Sequence, residues 1–146
     1  MSAIEEKLKA MGLTLPPPRT FPSPNRCGCV RVGNIIFVSG HGAHHPDMKC
    51  RETGKLAARI AALTILSTVK QEVGDLDRVQ RVIRLFGMVN CTADFPDMPA
   101  VIDGASDLFF ELFGPEYGCH ARSAVGQVNL PRGQPIEING EFEVKL

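Results

Sequence analysis

The most informative part of this sequence is residues 118–138, which read GCHARSAVGQVNLPRGQPIEI. The segment contains a strand-like apolar run that starts near Arg122, a Leu-Pro turn, and a second run around Glu137. Side chains alternate along a strand, so Glu137 lies on the face opposite Ile136 and Ile138. If the two strands pair as neighbours, Arg122 and Glu137 could face the same cleft. An exposed cross-strand ion pair, worth less than about 1 kcal/mol, would explain the same two charges.

The rest of the sequence switches between helical and strand periodicity. A short helix is predicted over 3–11. An extended arm follows over 15–25, where five prolines exclude a helix or a central strand. A hairpin around Gly33-Asn34 is predicted over 29–40, and a polar loop over 41–54. Long helices are predicted over 53–73, with Thr53 as a candidate cap, and over 97–113, capped by Asp97. A strand, VQRVIRLFGMVN, starts between them at Val79.

These elements give the order β-β-α-β-α-β-β, which predicts a single α+β domain with two helices on one face of the sheet. The domain spans 25–146, and the helix and proline-rich arm precede it over 1–24. The strand from Val79 is apolar on both faces, so something other than the helices should cover its second face. In the last strand, alternate residues are apolar and are expected to face the core: Ile136, Ile138, Phe142, Val144 and Leu146.

Composition limits the classes of function. Lys+Arg and Asp+Glu both number 16, so the net charge is zero and the pI is near 6.9. A protein with this charge balance lacks the positively charged surface of proteins that bind double-stranded nucleic acid. Its low net charge also gives little electrostatic repulsion between copies, so self-association is not opposed. The N-terminus has no apolar signal-peptide region, and no stretch reaches membrane-spanning length. We therefore expect a soluble cytoplasmic protein without a strong nucleic-acid surface, and an oligomer is reasonable.

Histidines and cysteines suggest a metal site only weakly. Five cysteines are irregularly spaced, and Cys27-Gly28-Cys29 lacks the second cysteine pair of a zinc site. A loop holds further possible ligands, but polar loops of this kind are more often solvated than metallated: His41, His44, His45, Asp47 and Cys50. We predict no required metal and no cofactor. His120 is a candidate pH-sensitive group at the mouth of a cavity.

Three motifs of this sequence resemble the YjgF/UK-type family, also called the Rid proteins. The first is the Ala-Arg-Ser-x-Val, Leu-Pro and apolar-Glu-apolar signature, which here comprises Ala121, Arg122, Ser123, Val125, Leu130, Pro131 and Ile136-Glu137-Ile138. The second is VGNIIFVSG over 32–40, and the third is GDLDRV over 74–79. The resemblance covers residues 25–146, and the sequence looks like a less-studied branch of the family.

The resemblance implies a chorismate-mutase-like fold and a homotrimer with a small-molecule cavity at each subunit junction. In the deaminase branch, an arginine grips the carboxylate of an enamine or 2-imino acid, and water replaces ammonia to give a 2-oxo acid. Carried over, Arg122 is the anchor, Glu137 handles the water, and the Ala124 backbone positions it. Ser39 and Gly40 would line the cavity. A planar guanidinium suits this task because it binds a carboxylate through two hydrogen bonds.

Three positions depart from the family pattern. Arg26 stands where a tyrosine is frequent, Asp103 where an asparagine is usual, and Ala124 where the deaminases often have cysteine. Asp103 would repel an anionic substrate unless Arg26 or Arg122 compensates it. The first hypothesis is therefore an imine deaminase. The second, favoured by Arg26 and Asp103, is a non-catalytic trimer that binds a carboxylate metabolite. The third is an RNA-cleaving enzyme, which the neutral charge and scarce aromatics disfavour.

Overall fold

A computed structural model describes residues 1–43 and 54–146 of the chain. Three helices are present in these residues: α1 (Ala3–Ala10), α2 (Gly54–Val73) and α3 (Met98–Tyr117). Five strands form one sheet: β1 (Cys29–Val32), β2 (Ile35–His41), β3 (Val79–Asn90), β4 (Ala121–Gln127) and β5 (Ile136–Val144). Their order across the sheet is β1-β2-β5-β3-β4. The predicted α+β domain with its β-β-α-β-α-β-β order is confirmed.

The sheet pairing contradicts one condition of the sequence argument. β5 lies between β2 and β3 and is antiparallel to both, whereas β4 pairs in parallel with β3 at the edge of the sheet. β4 and β5 are therefore separated by β3 and are not neighbours. The short link between them, which contains the 3-10 turn Pro131–Gly133, passes across the end of β3. Cross-strand pairing of Arg122 with Glu137 is excluded.

Helices α2 and α3 cover one face of the sheet and enclose the core. Along β5 every second residue is buried, so the predicted alternation is confirmed from Ile136 to Val144. Leu146 is the exception: β5 ends at Val144, and Leu146 lies 89% exposed. The two helices approach very closely at Gly104. A Cβ added there would lie 1.9 Å from the Lys55 carbonyl oxygen, so a larger residue would separate the helices.

The boundaries of the helices differ in detail from the prediction. Thr53, the candidate cap of α2, lies outside the described residues. Asp97 occupies the N-cap position of α3, but its side chain makes no capping hydrogen bond, so the predicted cap is wrong. The predicted end at Phe113 corresponds to a kink at Gly114, where φ is 80° and Pro115 follows. Proline is accepted at the start of a helical turn, and the chain makes one further turn to Tyr117.

The N-terminal segment packs onto the domain. A capping box between Ser2 and Glu5 starts α1, and Ile4 and Leu8 pack into the main core. The backbone N–H groups of Ala3 and Ile4 donate to the Asp77 carboxylate at 2.8 and 3.0 Å. Further along the arm, the Ser67 hydroxyl on α2 donates to the Pro16 carbonyl oxygen at 2.6 Å. The arm therefore follows α2 towards the sheet.

The second face of the sheet is open within the described residues. Register places Phe37, Phe86 and Met88 on this face, opposite to the residues that contact the helices. Val30, Val32 and Phe37 are exposed, whereas Phe86, Met88 and Val125 are half-buried. The second face of β3 therefore carries apolar side chains, as predicted, together with the Arg84–Glu141 ion pair, and no described element covers it. This apolar open face bears on the assembly of the protein.

Candidate functional site

Arg122 lies on β4 and faces helix α3. It is registered with Leu85, which is fully buried under the helices. Its Nη1 donates to Asp103 Oδ1 at 2.6 Å and to Ser106 Oγ at 3.1 Å. Among the described residues, no other group accepts a hydrogen bond from its Nη2 or Nε. One edge of the guanidinium is thus held by the protein, and the other edge remains for a ligand.

His120 extends the polar network around Arg122. Its Nδ1 lies 2.7 Å from the Gly118 carbonyl oxygen, and its Nε2 lies 2.9 Å from Ser106 Oγ. A carbonyl only accepts, so Nδ1 carries the proton and Nε2 accepts from the Ser106 hydroxyl. Burial lowers the pKa of His120; the Gly118 hydrogen bond opposes this effect, and the charge of Arg122 adds to it. His120 is therefore neutral at pH 7, and it borders a cavity of about 240 Å³ together with Ser106 and Arg122.

Glu137 lies in a second cavity, also of about 240 Å³, at the other face of the sheet. Register pairs Glu137 with Met88 on the open face, and a Cβ added to Gly40 would lie 2.7 Å from the Glu137 carboxyl carbon. Only a glycine lets the carboxylate pack this closely against β2. The lining residues are Arg19, Phe21, Arg26, Ser39, Gly40, Pro131, Arg132, Gln134 and Glu137. We call this cavity the Glu137 pocket.

Phe21, from the proline-rich arm, organises the arginines of the Glu137 pocket. The guanidinium carbons of Arg19 and Arg26 lie 4.9 and 5.8 Å from the centre of its ring, within the range of cation–π attraction. Arg19 Nη1 also donates to the Gly40 carbonyl oxygen at 3.1 Å. The pKa of Arg19 is lowered by burial; Glu137 opposes this effect, and Arg26 and Arg132 reinforce it. The four charged groups therefore influence one another within one small cavity.

Arg122 and Glu137 belong to opposite faces of the sheet. Arg122 shares the face of Leu85, whereas Glu137 shares the face of Met88. The expectation that the two could face one cleft within a chain is therefore wrong, because alternation along β3 separates them. Both could contact one ligand only where two copies of the chain meet.

The predicted site residues thus form two groups. Arg122, Asp103 and the half-buried Ala124 lie between β4 and α3, and Arg122 directly neutralises Asp103. Arg26, Ser39, Gly40 and Glu137 lie together in the Glu137 pocket. Sequence reasoning missed three residues: Ser106, Arg19 and Arg132. Arg132 directly follows the Leu-Pro motif, and its left-handed backbone (φ 59°) is unusual for a residue other than glycine.

Another cavity contains none of the predicted site residues. It has a volume of about 600 Å³ near the end of β3, with Val89, Cys91, Phe95 and Val101 in its lining. Its lining is mostly apolar and has no arginine or glutamate. We place the candidate site in the two smaller cavities, because they hold the charged groups that could bind and transform a polar ligand.

The histidine loop can be described only in part. His44, His45, Asp47 and Cys50 lie outside the described residues. His41 is not in the predicted polar loop but at the end of β2, where it is fully buried. Its Nε2 lies 2.7 Å from Thr68 Oγ1 and its Nδ1 2.6 Å from the Ser39 carbonyl oxygen. Over residues 1–43 and 54–146, no three metal-ligating side chains converge. In the same ranges, no helix is both long and apolar enough to cross a membrane.

The fold is that of a chorismate-mutase-like α+β protein, with two charged cavities on opposite faces of its sheet. The chain belongs to the YjgF/chorismate mutase-like, putative endoribonuclease family, whose sequence model matches residues 31–134. It is 34% identical over 151 residues to Protein TCP17 of Trypanosoma cruzi, a match that covers 97% of this chain and 94% of that protein. The family resemblance drawn from the sequence motifs is confirmed.

Solved structures give the same picture. A protein of unknown function from Agrobacterium tumefaciens superimposes with a TM-score of 0.86 at 34% identity, covering 97% of this chain and 92% of that one. RidA from Psychrobacter shares the fold with a TM-score of 0.59 at 23% identity, covering 90% and 96% of the two chains. Escherichia coli TdcF, solved with bound serine, shares it with a TM-score of 0.62 at 19% identity, covering 90% and 94%.

Proposed function

We propose that this protein is a Rid-like deaminase that hydrolyses small 2-imino acids, and their enamine tautomers, to 2-oxo acids and ammonia. The observation that carries the proposal is the placement of Glu137, a half-buried carboxylate packed against Gly40 in a small cavity. A fixed carboxylate beside a metabolite-sized cavity can accept a proton from water. The second support is Arg122, one edge of whose guanidinium is available to a ligand carboxylate.

The proposal requires a site between two copies of the chain, because Arg122 and Glu137 lie on opposite faces of the sheet in one chain. We propose the homotrimer that the family resemblance implies. The apolar open face supports this assembly. Val30, Val32 and Phe37 on β1 and β2, and Phe86 and Met88 on β3, lie on this face on either side of the polar residues of β5, and further copies of the chain would bury them. Each active site would then combine Arg122 of one subunit with the Glu137 pocket of its neighbour.

The reaction then follows from elementary chemistry. Arg122 holds the carboxylate of the 2-imino acid through Nη2 and Nε, which fixes the imine carbon near Glu137. Glu137 takes a proton from water as the water oxygen bonds to the imine carbon. Glu137 returns that proton to the nitrogen, which gives a carbinolamine. It then transfers the remaining hydroxyl proton of the carbinolamine to the nitrogen; the C=O bond forms as the C–N bond breaks, and ammonia and the 2-oxo acid are released. Ser39 and Gly40, beside Glu137, would border the bound ligand.

A second candidate is a trimer that binds a carboxylate metabolite without transforming it. The Arg122–Asp103 ion pair, at 2.6 Å, favours this alternative because it already satisfies part of the guanidinium. A ligand carboxylate would meet an arginine that is already paired with a carboxylate, so Arg122 would bind and orient the ligand less firmly. RNA cleavage is the least favoured function, because the chain carries no net positive charge.

The deciding experiment measures ammonia and 2-oxo acid release from 2-aminoacrylate generated in solution. We expect the native protein to accelerate release and both Arg122→Ala and Glu137→Gln to abolish the acceleration. Glu143→Gln is a matched control for Glu137, because Glu143 is on the same strand and face but contacts Asn34. If native protein leaves the spontaneous rate unchanged yet binds 2-oxobutanoate, the non-catalytic alternative is correct.

A further inference from the structure

The Glu137 pocket has an excess of positive charge that its proposed chemistry does not need. It contains three arginines, Arg19, Arg26 and Arg132, and a single carboxylate, Glu137. The chain as a whole has zero formal charge, so this excess is not part of a generally basic surface. A concave site with one dominant sign of charge concentrates ligands of the opposite sign.

The three arginines reach the pocket from separate segments. Arg19 comes from the proline-rich arm, Arg26 from the segment before β1, and Arg132 from the turn between β4 and β5. Contacts with Phe21 and the Gly40 carbonyl oxygen hold Arg19 in place. Among the described residues, neither Arg26 nor Arg132 forms an ion pair, although Glu137 lines the same pocket. Two cations therefore remain for a ligand.

Gln134 also lines the pocket, but its Oε1 is buried against Gly42, where an added Cβ would lie 1.6 Å from it. This oxygen is closed to solvent, so the arginines are the groups that the pocket offers to a ligand.

We propose that the Glu137 pocket selects ligands that carry a second anionic group, so that the preferred substrates are 2-imino acids with an acidic side chain. This inference rests on the proposed function. Arg122 of the adjoining subunit takes the 2-carboxylate, Glu137 faces the imino nitrogen and the attacking water, and Arg26 and Arg132 take the side-chain acid.

The test compares 2-oxoglutarate with 2-oxopentanoate, which has the same carbon chain but ends in a methyl group. Calorimetric titration of each acid into the protein at low salt measures binding, so the test does not depend on catalytic activity. We expect 2-oxoglutarate to bind at least about tenfold more tightly, as one charge-assisted hydrogen bond predicts. The preference should shrink as ionic strength rises, because the pocket is open to solvent. Equal affinity for the two acids in native protein would overturn the inference.

Substitutions of the two arginines test which residues cause the preference for 2-oxoglutarate. Arg26→Gln and Arg132→Asn remove one charge each; asparagine tolerates the left-handed backbone at 132 better than most residues. Each variant should reduce the ratio of the affinity for 2-oxoglutarate to that for 2-oxopentanoate severalfold, and the double variant should bring this ratio near one. Arg31→Gln is the matched control, because Arg31 contacts only Gly33 in its own hairpin and lies outside the pocket. A ratio that survives the double variant would place the second anion elsewhere and refute the inference.

Failure of this inference and failure of the proposed function give different results. If ammonia is released from 2-aminoacrylate but the two oxo acids bind equally, the deaminase stands and the acidic selectivity is wrong. If 2-oxoglutarate is preferred through Arg26 and Arg132 but no imine is hydrolysed, the acidic pocket stands and the deaminase is wrong.

Discussion

Asp103→Asn should make the protein bind 2-oxo acids more tightly. In the native protein Asp103 accepts from Arg122 at 2.6 Å, and the two side chains are 45% and 22% exposed. A pair this accessible to water contributes at most about 1 kcal/mol to stability, so its removal should leave the protein folded. A ligand carboxylate on the opposite edge would lie roughly 5 Å from Asp103, where water-like screening leaves about 0.8 kcal/mol of repulsion. Removing this repulsion should raise the affinity about fourfold.

The assay is calorimetric titration of 2-oxobutanoate into native protein and Asp103→Asn at the same salt concentration. Asp97→Asn is the matched control: the substitution is the same, on the same helix, but Asp97 makes no side-chain capping contact. We expect Asp97→Asn to bind like native protein. Unchanged or weaker binding by Asp103→Asn would mean that Asp103 orients Arg122 for the ligand, and that the repulsion argument is wrong.

Three further predictions concern packing, pH and assembly. Gly104→Ala should lower the free energy of unfolding by about 1–3 kcal/mol in urea titrations, because its Cβ would meet the Lys55 carbonyl oxygen at 1.9 Å; a loss under about 0.5 kcal/mol would show that α2 and α3 separate easily. His120 has a lowered pKa, so its contribution to stability is complete above pH 6.5 and is lost as the pH falls towards its folded-state pKa. In His120→Gln the free energy of unfolding should therefore depend less on pH over that range. An unchanged pH dependence would contradict the lowered pKa of His120. Native protein should be a trimer by native mass spectrometry at micromolar concentration, and Phe86→Glu, on the open face of β3, should yield monomers with native circular dichroism; a native monomer would refute the shared site.

The sequence predicted elements well where periodicity was strong. The predicted strand VQRVIRLFGMVN coincides with β3, and the alternation of β5 held over its whole length. Pairing was harder, because order along the chain does not fix order in a sheet: β4 and β5 follow each other but flank β3. The prediction that Glu137 lies on the polar face of its strand is confirmed. Alternation within one strand, however, could not show that Arg122 of another strand lies on the opposite face of the sheet.

The arginines of the Glu137 pocket show a different limit of sequence reasoning. Arg26 drew attention only because the family resemblance supplied an expected tyrosine. Arg19 lies in a proline-rich arm whose periodicity predicts no contacts, and Arg132 lies in a turn. Their proximity depends on how two irregular segments cross the sheet, and Phe21 completes it by contacting both Arg19 and Arg26. Neither helical nor strand patterns carry that information.

The proline-rich arm has two parts with different roles. Its first part helps to enclose the core, because Leu15 packs against the core residues and the Pro16 carbonyl oxygen accepts from α2. Its second part places Arg19 and Phe21, which lie outside the core, at the Glu137 pocket. Substitutions at these two positions can therefore alter the lining of the pocket without changing the residues that form the core. Exchanging the arm between relatives would be an economical way to transplant specificity, and an affinity tag fused at Met1 is best moved to Leu146.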